Sequence, residues 1–225
     1  MNLFYMKLYK LLIFREKINH LLLINIILFS FATTQFGLAQ NADINLLKSI
    51  NVDRNKSLDP SFKVITHSVT PISIGAPIVV FSVGLIQKDS TLKNKGIFLA
   101  ETFLVNGFIT TALKLSINRD RPFVTYPFID KQTDAGSHSF PSGHTSTAFA
   151  TATSLSLAFP KWYVITPSFL WASSVGYSRM HLGVHYPSDV LAGAFVGAGS
   201  AFLSYKLNQW ITGKYCQKKT INKMI

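Results

Sequence analysis

The chain has 225 residues and a mass of 25.0 kDa, enough for one domain of ordinary size and little more. Hydrophobic residues make up 48% and charged residues only 14%, where a soluble protein carries roughly a quarter charged, so a disordered or coiled-coil chain is excluded and a membrane-associated one is favoured. The excess of Lys+Arg, 22 against 10 Asp+Glu, gives a net charge of +12 and points to an anionic partner: nucleic acid, lipid headgroup or phosphate substrate.

In chain order, the first segment carries Lys7, Lys10, Arg15 and Lys17 against Glu16, and then the apolar run from Leu21 to Phe29. That is the layout of a basic n-region and an h-region. Gly37 and Ala39 supply small residues for cleavage after Ala39, so residues 1–39 are expected to be a signal peptide, with an uncleaved membrane anchor as the alternative. Residues 40–63 form a polar arm with Lys48, Arg54, Lys56 and Lys63, and one short amphipathic helix is expected near 44–50. Cys216 is the only cysteine, which excludes an intrachain disulfide and any multi-cysteine metal site.

Residues 64–208 read as an all-α bundle of about five core helices, followed by a basic tail at 209–225. The candidates are 64–86, with Pro71 and Pro77, then 96–117, 142–159, 163–177 and 189–207; strand-like alternation is absent. A helix needs about 20 residues to cross a bilayer, so the first, second and fifth qualify, while the third and fourth are marginal. The stretch 192–201, AGAFVGAGSA, suits close helix packing. Trp162, Trp171 and Trp210 are expected in the core or at a membrane interface.

The polar chemistry lies at particular helix ends. Lys114 falls near the end of the second helix and Arg119-Asp120-Arg121-Pro122 follows it; Pro141-Ser142-Gly143-His144 opens the third, with the Ser142 hydroxyl expected as its cap. Ser178-Arg179 ends the fourth, and His185 and Asp189 flank the start of the fifth. An up-and-down arrangement brings these clusters to one end of the bundle. The opposite end collects Lys88, Lys93, Lys95, Lys161, Lys206, Lys214, Lys218, Lys219 and Lys223, the basic side expected to face the cytoplasm. Lys114, Arg121 and Arg179 around a helix N-terminus form a pocket for a phosphate-like oxyanion. With no acidic cluster to suggest a Mg²⁺ site, the cations stabilise the transferred group and an imidazole supplies the nucleophile.

These words in this order, Lys114-x6-Arg121-Pro122, Pro141-Ser142-Gly143-His144 and Ser178-Arg179-x5-His185-x3-Asp189, resemble the three-part signature of the type 2 phosphatidic acid phosphatases, a family related to bacterial class A acid phosphatases and vanadium haloperoxidases. The resemblance covers about residues 64–207. It implies an all-helical phosphatase that uses no metal or other cofactor and works through a phosphohistidine. By the same resemblance His185 is the nucleophile, Asp189 orients it, and His144 protonates the leaving oxygen and then activates water. Lys114, Arg121, Ser142, Gly143 and Arg179 hold the phosphoryl oxygens.

His67, His138 and His181 match no part of that signature and are expected in structural or substrate-loop roles, with His138 the nearest to a substrate; Arg119 and Asp120 are expected to form a local ion pair. The favoured substrate is a lipid phosphate or isoprenyl diphosphate at a bacterial inner membrane, the site facing the periplasm. The alternatives are a soluble periplasmic acid phosphatase acting on small phosphomonoesters, a vanadium haloperoxidase, or a nucleic-acid-binding module. Export and the lack of aromatic-basic interleaving argue against the last.

Overall fold

A computed structural model of the chain describes residues 41–221, with side chains described through 210. The chain divides into two units, Met1–Ile44 and Asn45–Ile225. Of the first, only 41–44 are described, as helix; the expected signal or anchor at 1–39 lies outside the described residues. The second unit is built of helices joined by turns and by a loop over 126–142, with no strand among the described residues. Its helices are α1 (residues 45–51), α2 (Asp59–His67), α3 (Val69–Ile86), α4 (Ser90–Ile117), α5 (Pro122–Thr125), α6 (Gly143–Ala158), α7 (Trp162–His181) and α8 (Pro187–Ile221).

Local chemistry explains most boundaries. The Asp89 carboxylate accepts from the backbone N–H of Thr91 at 2.7 Å and starts α4 six residues before the apolar run does, because a capped first turn can be polar. Asn118 ends α4 in the left-handed conformation, φ 49°, which an asparagine tolerates. The helix expected over 64–86 is two helices that meet at Ser68, and Pro77 sits inside α3 without ending it. The fourth expected helix extends past 177 to His181, so Ser178 and Arg179 belong to its buried last turn. The fifth runs without a break into the expected tail, to Ile221.

Among the described residues, Val69, Ala148, Ala152, Ala172 and Val175 form an apolar cluster joining α3, α6 and α7, and Phe98, Leu99 and Ala158 form another joining α4 and α6. Between α6 and α8 the fit is closer still. A Cβ on Gly193 would stand 2.7 Å from the Ser142 carbonyl oxygen, and one on Gly197 would overlap the Ser146 carbonyl oxygen. Glycine at these points lets the two backbones touch. Among the described residues, three helical stretches are long and apolar enough to cross a membrane: Lys56–Ile86, Ser90–Thr125 and Pro187–Trp210. Their outer faces carry bulky apolar side chains in the open, including Ile86 at 80% exposure and Phe108 and Phe195 at 78% each, a surface that suits lipid rather than water.

The polar arm packs more deeply than its composition suggests. Leu47 and Asn51 of α1 are fully buried. Asn51 donates to the carbonyls of Asp130 (3.0 Å) and His181 (2.9 Å) and accepts from the Asp130 N–H at 2.8 Å. Arg54 follows with a fork onto Asp59 and a further bond of 2.7 Å to Asp130.

Candidate active site

The expected words do gather at one end of the bundle. α4 delivers Lys114 in its last turn, and the N-terminus of α6 delivers Gly143 and His144. A Cβ on Gly143 would lie 3.7 Å from Lys114 Cε, so that glycine and that lysine line the same space. α7 delivers Arg179 from its last turn. A tight turn then leads to His185, and α8 opens with Pro187 and carries Asp189 in its first turn. Gly183 makes this turn possible: its φ is +73°, and a side chain there would overlap the Asp130 carbonyl oxygen.

His185 is 2% exposed and is gripped at both ring nitrogens. Its Nε2 lies 3.3 Å from Arg121 Nη1, which also donates to the Val184 carbonyl at 2.9 Å. A guanidinium only donates, so Nε2 presents its lone pair and the proton resides on Nδ1. Nδ1 faces Asp189 Oδ2 and Ser139 Oγ, each at 3.5 Å. Burial, with the charges of Arg179 and Arg121, pushes the imidazole pKa down to about 3 against the opposing pull of Asp189. The ring is therefore neutral across the physiological range, and its Nε2 lone pair is engaged by the long contact from Arg121, which an electrophile drawn to the guanidinium can displace.

Asp189 has no exposed side-chain surface and is saturated with donors. Oδ1 accepts from Arg119 Nη1 at 2.7 Å, while Oδ2 accepts from the Ser139 hydroxyl and from the Tyr186 N–H at 3.0 Å. A buried carboxylate needs such partners to remain ionised. Arg119 thus pairs with Asp189 and Ser188 rather than with its neighbour Asp120, and its guanidinium lies 3.8 Å over the Tyr186 ring. Sequence reading missed both Arg119 and Ser139 as site residues; the only signal for either is proximity in the chain to Arg121 and to Pro141.

Arg179, 2% exposed, donates to Thr66 Oγ1 at 2.7 Å, and its buried Nε has no partner. An orphaned guanidinium N–H is costly unless an anion meets it. Lys114 Nζ donates to the His138 carbonyl at 2.6 Å and Arg121 Nε to the Ser137 carbonyl at 2.8 Å, so the 126–142 loop pins the cations. Ser142 opens α6 but does not cap it: its hydroxyl bonds Thr145 Oγ1 at 2.8 Å, and its own N–H bonds the Asp189 carbonyl at 3.0 Å. The first turn of α6 therefore receives no cap from that hydroxyl, and an uncapped helix N-terminus can take an anion. His144 is held at about 3 by burial first and then by the charges of Arg179, His67, Arg121 and Lys114. His138 contributes its backbone carbonyl to the site, and His181 pairs with Asp59 at 2.9 Å in a structural contact. Among the described residues no group of three His, Cys, Asp or Glu side chains is arranged to hold a metal ion.

A sequence profile of the PAP2 superfamily matches residues 95–212, a little over half of the chain. The chain belongs to the PAP2 superfamily. Curated relatives of this PAP2 protein include an undecaprenyl-diphosphatase of Sulfolobus acidocaldarius, 36% identical over 50% of this chain and 54% of its own length. A lipid A 4'-phosphatase of Bacteroides thetaiotaomicron is 32% identical over 43% of each chain, so the match spans about half the length of these relatives. Among solved structures, LpxE of Aquifex aeolicus superposes with a TM-score of 0.62 at 27% identity, over 73% of this chain and 95% of that one. The transmembrane PAP2-type phosphatidylglycerolphosphate phosphatase of Bacillus subtilis gives 0.65 at 27% identity, over 77% and 88%. The matched region holds every word of the signature.

Proposed function

We propose that this PAP2 protein is a metal-independent phosphatase acting on a lipid phosphate or isoprenyl diphosphate through a phosphohistidine on His185. The observation that carries the reading is the setting of that imidazole: buried, with Nδ1 turned to Asp189 and Nε2 3.3 Å from the guanidinium of Arg121. A phosphoryl group drawn to Arg121, to the unpartnered Nε of Arg179, to Lys114 and to the open N–H groups of α6 meets the Nε2 lone pair in line.

The Nε2–P bond forms as the bond from phosphorus to the leaving oxygen breaks, and His144 gives that oxygen a proton. The phosphate's negative charge offsets the field of the three cations and lifts the His144 pKa into a range where it carries that proton. In the second step His144 takes a proton from water, the oxygen attacks phosphorus, the N–P bond breaks and inorganic phosphate leaves. Removing one such preorganised donor costs about 3–4 kcal/mol of barrier stabilisation, so loss of Arg121 or Arg179 should lower kcat by about 10²–10³-fold.

The lipid preference rests on the three long apolar stretches and their exposed Ile, Leu and Phe side chains, which favour a substrate whose tail lies in the bilayer over a soluble phosphomonoester. The lipid phosphatases among the relatives support the same choice. The site would face the periplasm, with residues 1–39 as export signal or anchor and Lys88, Lys93, Lys95 and Lys161 on the cytoplasmic side. The test is a panel of lipid monophosphates, isoprenyl diphosphates and soluble phosphomonoesters, each with and without EDTA. The expected result is release of phosphate from a lipid substrate, undiminished by EDTA; turnover of soluble esters alone, or loss of activity with the chelator, would overturn it.

A further inference from the structure

We propose that Ser139 is a positioning residue for the nucleophile, holding the His185–Asp189 pair through its hydroxyl; the inference rests on His185 acting as proposed above. Ser139 is fully buried in the loop between α5 and α6, two residues before Pro141. Its backbone N–H is fixed by the Arg119 carbonyl at 2.7 Å, so the side chain is delivered by a pinned backbone. The single hydroxyl proton goes to Asp189 Oδ2. That leaves the oxygen lone pairs facing His185 Nδ1 at 3.5 Å, the same distance at which Nδ1 faces Oδ2 itself.

The imidazole proton thus has two acceptors, the serine oxygen and the carboxylate, and the serine is joined to that carboxylate. Both contacts from Nδ1 are long in the resting site. They are poised to tighten when Nε2 bonds to phosphorus, because the ring then becomes cationic and Nδ1–H becomes a much stronger donor. The ring, Ser139 and Asp189 form a short hydrogen-bonded chain that stabilises the cationic ring where it stands, and the other carboxylate oxygen is anchored by Arg119 at 2.7 Å. Without the hydroxyl, Oδ2 keeps the Tyr186 N–H but loses its nearest donor, and the ring loses one of the two acceptors of its Nδ1 proton. The hydroxyl does not touch substrate. Its contribution is made chiefly in the transition state, so it belongs in kcat.

The experiment compares wild type, Ser139→Ala, Ser139→Thr and His185→Ala in detergent, with kcat and KM measured on whichever lipid phosphate the wild type turns over and melting temperature measured alongside. A lost hydrogen bond to a charged group predicts that Ser139→Ala lowers kcat about 10–100-fold with KM within about twofold of wild type. Ser139→Thr, which keeps the hydroxyl, should recover most of that loss. Unchanged kcat in a folded Ser139→Ala overturns the proposal, as does a loss of activity that follows melting temperature in both Ser139 variants. An Ala variant that does not fold leaves the Thr variant to decide: a folded Thr variant as slow as His185→Ala also overturns it. If His185→Ala turns over normally, the phosphohistidine reading fails instead, whatever Ser139 does.

Discussion

At the residue scale the site is governed by what surrounds one imidazole. A histidine in water is half protonated near pH 6.5, and protonation would remove the lone pair that the proposed phosphohistidine step needs. Here burial dominates, and Arg179 and Arg121 add to it, so His185 is held at about 3. Because the shift is downward, the reactive neutral form persists as pH falls through the ordinary histidine range. The acidic limb of kcat/KM, once the substrate's own ionisation is allowed for, should therefore lie well below 6.5; a limb at the ordinary value would mean that the ring is solvated. The pair Arg119 and Ser139 shows why such a site is only partly legible in sequence. Lys114, Arg121, His144, Arg179, His185 and Asp189 sit at fixed spacings and carry reactive groups, whereas a serine in a polar loop and an arginine beside an aspartate look like solvated surface. Their roles come from long-range contacts, 50 and 70 positions away along the chain at Asp189.

At the element scale, the close approach of α6 and α8 brings together the helix starts that carry His144 and Asp189, on which the proposed mechanism depends. Gly197 sets that approach, as a Cβ there would overlap the Ser146 carbonyl oxygen and crowd the Ala150 N–H at 2.8 Å. Gly199, two residues on, has open space where its Cβ would be. Gly197→Ala should lower the melting temperature and the activity together, by an overpacking cost of about 1–3 kcal/mol, whereas Gly199→Ala should be neutral or slightly stabilising because alanine favours a helix. Thermal melts of the two variants in detergent separate the cases; equal behaviour would contradict the packing. The small-residue run was visible in sequence, and so were the helices. The boundaries were less so, because hydropathy marks the middle of a helix and not a polar turn such as 90–95, which Asp89 caps. The arm was harder to read for the same reason: Asn51 and Arg54 look hydrophilic, and only the fold reveals that they bind the 126–132 loop and the end of α7.

At the scale of the whole molecule, an apolar bundle presents one polar end, and the chemistry is confined there. The N-terminus of α6, the buried Arg121 and Arg179, the half-buried Lys114 and the imidazole of His185 form a positively charged cup that suits an oxyanion, and the long apolar stretches suit a lipid tail. The side-by-side placement of words separated by dozens of residues follows from topology alone: each helix end meets the start of the next. The most direct measurement is rapid acid-free quenching of enzyme mixed with its lipid phosphate, followed by peptide mass spectrometry for a phosphoryl adduct. One phosphoryl group is expected on the peptide containing His185, absent from His185→Ala along with turnover. An adduct on another residue, or undiminished turnover by His185→Ala, would contradict it.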